Sequence, residues 1–280
     1  MSRRSKAKRP EKHELRRGEG GGRLRKAAAL LLGVVVLSAT LAAGLVLSGV
    51  TTSGPSGPKT AAIVDQLSLT FPNPAFAETA TDMLEQAGYA VDYYPGEEVT
   101  VEFYRDLPTH GYELIILRVH SGLVREVNPA SGSRTLTEYV SLFTGEPYSD
   151  EKYGGVKAAG RLGLGVARYH EGGPPYFGIT PYFVESTMEG RFDKTAIILM
   201  GCDGLRTDRT AEAFLEKGAR AFVSWSGRVS AAHTDAATQR LLQHLLIDGL
   251  AIQEAITQTM AEVGLDPSYG SRLLVHPPEG

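Results

Sequence analysis

Hydrophobic and polar positions alternate along most of this chain in short blocks, with two continuous apolar runs. One is 113–119, Glu-Leu-Ile-Ile-Leu-Arg-Val, and the other is 195–200, Thr-Ala-Ile-Ile-Leu-Met. Such runs, bounded by turn residues, predict strands buried on both faces. Further strands are expected at 61–69, 89–94, 219–224 and 272–276. Helices are expected at 73–86, opened by Asn73-Pro74 and stopped before Gly88, and at 99–107, 207–217, 231–247 and 251–263. Residues 181–190 begin as a helix with Pro in the first turn. Between 121 and 178 the pattern is irregular and glycine-rich, with strand-like pieces at 136–143 and 163–168; it reads as an antiparallel insertion or long loops around a site. Strands alternating with helices predict an α/β fold: a mostly parallel sheet with helices on both faces.

The first fifty residues follow a different rule. Residues 1–26 hold 11 Lys or Arg against three acids and almost no large apolar side chain, so they should form a disordered basic tail. Residues 27–50 carry no charge. As a helix they extend roughly 36 Å, enough to cross a hydrocarbon core of about 30 Å. One transmembrane signal anchor, in contact with the lipid bilayer, is therefore expected before the globular part; a cleavable signal is the alternative. The basic flank would stay cytoplasmic, putting the C-terminal domain outside the cell membrane. Residues 51–58 are a Gly/Pro/Ser linker, and 59–280 make one domain.

Charge narrows the partners. Removing the tail leaves 18 Lys and Arg against 29 Asp and Glu, a net of −11 for the outward domain. That balance excludes a nucleic-acid surface. There is no GxxxxGK[ST] or HExxH motif and no second cysteine. No nucleotide, metal or other cofactor is expected.

Candidate chemistry rests on two strand ends. Run 113–119 delivers His120, then Ser121-Gly122; run 195–200 delivers Gly201 and Cys202, the sole cysteine. Sites in open parallel sheets form at the carboxyl ends of strands. A thiol there would have an imidazole to manage protons and backbone N–H groups to meet an oxyanion. The bland alternative is a packed histidine and a small buried cysteine.

These blocks resemble the caspase-like (clan CD) cysteine peptidases, in particular bacterial and archaeal caspase-like and CHAT-type members. The resemblance covers residues 61–227 and is carried by His120-Ser121-Gly122, by Met200-Gly201-Cys202-Asp203-Gly204 and by the stretch 211–227. It implies a caspase-like three-layer fold and a thiol peptidase acting on a peptide or protein substrate. Cys202 would be the nucleophile and His120 the proton carrier, with backbone N–H groups of Cys202 and of Ser121 or Gly122 as oxyanion donors. Many members have Gly directly after the histidine, where this chain has Ser121. The segment after the Cys-bearing unit helps form the specificity pocket in that family, which points to Trp225 and Arg228. Arg118 or Arg228 would pair an acidic substrate side chain; Asp203, Asp235 or Glu171 would pair a basic one. A catalytically inactive, membrane-tethered binding or scaffold module of the same fold is the rival reading.

Overall fold

A computed structural model describes residues 58–127, 130–155, 160 and 162–278. The apolar span 27–50 and the basic tail lie outside them. Among the described residues no helix is long and apolar enough to cross a membrane.

In chain order the strands are β1 (Lys59–Asp65), β2 (Tyr89–Pro95), β3 (Leu114–Arg118), β4 (Ser121–Val127), β5 (Arg134–Pro147), β6 (Leu164–Ala167), β7 (Tyr176–Ile179), β8 (Ala196–Leu199), β9 (Ala221–Trp225) and β10 (Leu273–His276). Six of them form one sheet in the order β10-β9-β8-β3-β1-β2. All its neighbours are parallel except the edge strand β10, which runs against β9. The two apolar runs, β3 and β8, lie side by side, Leu114 level with Ala196 and Leu117 with Leu199. Every residue of both is buried, as continuous apolar runs demand.

Helices cover both faces. Helices α1 (Pro74–Gln86), α2 (Val101–Asp106), α3 (Pro181–Ser186), α4 (Arg209–Glu216), α5 (Ala231–Leu242) and α6 (Ile252–Val263) follow in order. Asn73 and Thr100 cap α1 and α2, their side-chain oxygens accepting the N–H of Phe76 and Phe103. Along β3, Leu114 and Ile116 face a core shared with Phe76 and Leu84 of α1, Leu241 of α5 and Ile256 of α6. Ile115 and Leu117 face the opposite core, with Tyr104 of α2, Phe183 of α3 and Phe214 of α4. The architecture is thus a parallel-rich sheet between two helical layers.

The irregular stretch is an antiparallel sheet, ordered β4-β5-β7-β6. Its Val140, Leu142, Leu164, Phe177 and Ile179 join the second core. Of the two expected alternatives, antiparallel insertion or long loops, the first is found, with β4 starting directly after His120. Two expectations are corrected. The first strand ends at Asp65, and Gln66–Leu69 turn as a 3-10 helix. The 231–247 helix is α-helical only to Leu242 and closes on a π-helical turn, Gln243–Ile247.

Candidate functional site

In the parallel sheet the chain order reverses between β1 and β3: β2 lies on one side of this pair, β8 and β9 on the other. Ligands of open α/β sheets bind outside the carboxyl ends of strands at such a switch point. Asp65, Gln66, Arg118 and His120 occupy these ends, and Cys202 lies beyond the adjacent β8.

Arg118 anchors the ground beneath. It is fully buried. Its Nε and Nη2 donate to both oxygens of Asp235 (2.8 and 2.9 Å), Nη1 to Asp65 (2.7 Å), and Nη2 also to the Phe71 carbonyl (2.9 Å). Asp65 accepts a further bond from Tyr93, and Asp235 one from Asn73. A buried guanidinium is tolerable only when it is paired in this way. Burial disfavours its charge, but the bonds to Asp235 and Asp65 outweigh that and raise its pKa. Arg118 and Asp235 therefore consume one another. Neither is a substrate contact.

His120 sits above this network in an aromatic cage. Its ring meets Tyr169 at 4.8 Å, Phe143 at 5.6 Å and Phe71 at 5.9 Å between centroids. Its Nε2 shares a 2.9 Å hydrogen bond with the Thr70 hydroxyl. Its backbone N–H donates to Gln66 Oε1 at 3.0 Å, and Gln66 Nε2 donates to the Tyr169 hydroxyl at 2.7 Å. Burial, and then the charge of Arg118, push its pKa down to about 4, so the imidazole is neutral at physiological pH.

Cys202 is half-buried. Its thiol is engaged by the backbone of Val229, donating to the carbonyl at 3.6 Å and accepting from the N–H at 3.5 Å. Burial pushes the thiol pKa up, against the partial relief of the Val229 N–H. The thiol and the imidazole thus stand at neighbouring strand ends, each neutral and each holding its own partner. They are not bonded to each other.

Ser121 connects the two loops: its hydroxyl donates to the Cys202 carbonyl at 2.6 Å. Gly201 permits that approach, since a Cβ there would lie 2.3 Å from Ser121 Oγ and 2.5 Å from the Val119 carbonyl.

The oxyanion candidates separate. Phe143 donates its N–H to the His120 carbonyl, and Ser121 and Gly122 pair with Leu142 and Ser141. Alternation in an antiparallel ladder then engages Gly122 with β5 and turns the Ser121 N–H away from it. Val140, opposite Leu123, donates instead to Thr210, as the alternation requires. Gly122 is therefore corrected from donor to sheet residue. The Cys202 N–H has no acceptor among the described residues.

Other expected contacts divide similarly. Trp225 is wholly buried on β9, its indole N–H donating to Thr234 at 2.9 Å, so it packs the core and faces no substrate. Asp203 is buried, with φ of 62°, its N–H bonded to the Gly227 carbonyl and its carboxylate 3.4 Å from Arg206. Arg228 is exposed and lies 4.7 Å over the Tyr269 ring. Glu171 is exposed in the β6–β7 connection. Sequence reasoning missed Thr70, Gln66 and Tyr169, whose roles arise only when β1 and the antiparallel sheet meet at His120. Among the described residues no cluster of three or more His, Cys, Asp or Glu side chains is disposed to hold a metal ion.

No family model and no curated protein matches this chain. Among solved structures it is similar to protein GSU0716 from Geobacter sulfurreducens, at 12% identity and a TM-score of 0.39, over 79% of this chain and 95% of that one.

Proposed function

We propose that this protein is a membrane-anchored cysteine endopeptidase of caspase-like type, with Cys202 as nucleophile and His120 as proton carrier. The carrying observation is the juxtaposition of the carboxyl ends of β3 and β8, bridged by the Ser121–Cys202 hydrogen bond at 2.6 Å. The anchor would be residues 27–50, with the catalytic domain outside the cytoplasm.

The chemistry starts from a neutral pair. Substrate binding displaces the thiol from Val229 and draws His120 off Thr70. The imidazole takes the thiol proton as sulfur attacks the scissile carbonyl. The carbonyl π pair moves to oxygen, which is met by the N–H groups of Cys202 and Ser121. Collapse breaks the C–N bond, and the leaving amine takes the proton from His120. Water, deprotonated by the same imidazole, then hydrolyses the thioester, releasing a carboxylic acid and restoring the thiol. Arg118 and Asp65 hold the floor and touch no substrate. Of the charged groups considered, Arg228 and Glu171 are left to contact substrate side chains.

The second reading, a non-catalytic caspase-like module, is favoured by one observation: thiol and imidazole each hold a separate partner. Turnover of a fluorogenic peptide library separates the two. The peptidase reading expects cleavage by the full chain that disappears in Cys202→Ala and in His120→Ala. Absence of turnover across the library, or turnover unchanged in Cys202→Ala, favours the module.

A further inference from the structure

At the opposite, amino-terminal end of the parallel sheet lies a cavity of about 240 Å³. Its lining is mixed, with apolar side chains from Ile198 of β8 and Val223 of β9 on the sheet side and Leu245, Leu246 and Leu250 from the α5–α6 connection. Two polar side chains reach it, Tyr89 and Arg220, at the amino ends of β2 and β9. Lys59 Nζ lies 5.3 Å over the Tyr89 ring. Neither Lys59 nor Arg220 is in an ion pair with any described residue. Burial and then the Glu113 carboxylate raise the Tyr89 pKa, with the Arg220 guanidinium opposing them, so charges of both signs reach the mouth.

The roof is a built feature. It is the π-helical turn Gln243–Ile247, a conformation that occurs mostly as single turns and often at functional sites. Buried His244 closes it through Nδ1, 2.8 Å from Asp248, while Nε2, 3.3 Å from Glu262, makes no hydrogen bond among the described residues. The Leu250 N–H donates to the His244 carbonyl. Leu245, Leu246 and Leu250 are only partly buried and pack against the core that includes Leu114, Ala196, Ile198 and Val223.

We propose that this cavity binds a small monocarboxylate, its anionic head against Arg220 and a short apolar body among Leu245, Leu246 and Leu250. Arg220 is exposed and outside any ion pair among the described residues, and such a cation at the rim of an apolar wall favours an amphiphile of opposite charge. The cavity is below the roughly 300–1,000 Å³ that houses drug-sized ligands, so the ligand is small. The inference is independent of the thiol chemistry.

The test is calorimetric titration of the full chain in lipid nanodiscs, with empty nanodiscs subtracted. Three probes share one body: 3-phenylpropionate, 3-phenylpropan-1-ol and 3-phenylpropylamine. The expected result is saturable one-to-one binding of the carboxylate, about tenfold tighter than the alcohol, with the amine weakest. Arg220→Gln should bring the carboxylate to the level of the alcohol. Leu246→Trp, which fills the space, should abolish both. No saturable binding of the carboxylate, binding indifferent to Arg220→Gln, or a preference for the amine would each overturn the proposal.

Discussion

The Ser121 hydroxyl donates to the Cys202 carbonyl at 2.6 Å, and this bond joins the loop after β3 to the loop after β8. It ties the start of β4, in the antiparallel sheet, to the turn that follows β8 in the parallel sheet. Ser121→Ala should cost about 1 kcal/mol, the typical net worth of one such bond. Gly201→Ala should cost more, about 1–3 kcal/mol, since its Cβ would overlap the Ser121 hydroxyl and the Val119 carbonyl. Urea midpoints at unchanged m-value give the order directly. Equal midpoints for the two variants would contradict the close approach.

Arg118 bears on stability through the carboxylates it neutralises. Asp65 and Asp235 are both buried and both face it. Arg118→Leu leaves two carboxylates buried without their cation and should destabilise by about 3–5 kcal/mol. Arg118→Lys should not rescue, because an ammonium cannot span Asp235 in a fork while also reaching Asp65. A triple variant that also makes Asp65→Asn and Asp235→Asn should recover part of the loss. Chemical denaturation of the set measures it, and full rescue by lysine would refute the geometry.

His120 should leave a mark on the pH dependence of folding. Its folded pKa lies near 4, against an ordinary 6.5. The unfolded chain therefore binds this proton first as pH falls. The stabilising contribution is complete above about pH 6.5 and is lost as pH drops towards 4. Its full size is about 3 kcal/mol. His120→Gln lacks this contribution, so the difference in unfolding free energy between wild type and variant should shrink by that amount between pH 7 and pH 4. Parallel curves would show that the imidazole is not shielded.

The parallel sheet was legible because its central strands are uninterrupted apolar runs, and β3 and β8 need no tertiary information to be read as buried. That His120 and Cys202 follow two such runs was readable; that the runs pair side by side comes from the sheet order. What could not be read arises between elements. Strand β4 begins with Ser121-Gly122, in a stretch that reads equally as antiparallel insertion or long loops, and its pairing with β5 decides between them. Trp225 follows four buried residues of β9 and simply completes that strand, though its place beside Ser226-Gly227 resembles a pocket rim. Arg118 was the readable clue: an arginine between Leu117 and Val119, inside a buried run, has to be paired, and Asp65 at the end of β1 was an available partner. Thr70, Gln66 and Tyr169 carry no local signal; only the meeting of the two sheets brings them to the imidazole.

The most direct test of the thiol–imidazole reading is labelling of the full chain by an acyloxymethyl ketone, an activated carbonyl that alkylates a competent catalytic thiol. Cys202→Ala and His120→Ala serve as controls. A live pair predicts labelling of the native protein at Cys202 that is lost in Cys202→Ala, falls sharply in His120→Ala and disappears on denaturation. Labelling that is absent in the folded protein and appears only in denaturant would mean that Val229 and the core hold a silent thiol, contradicting the peptidase assignment.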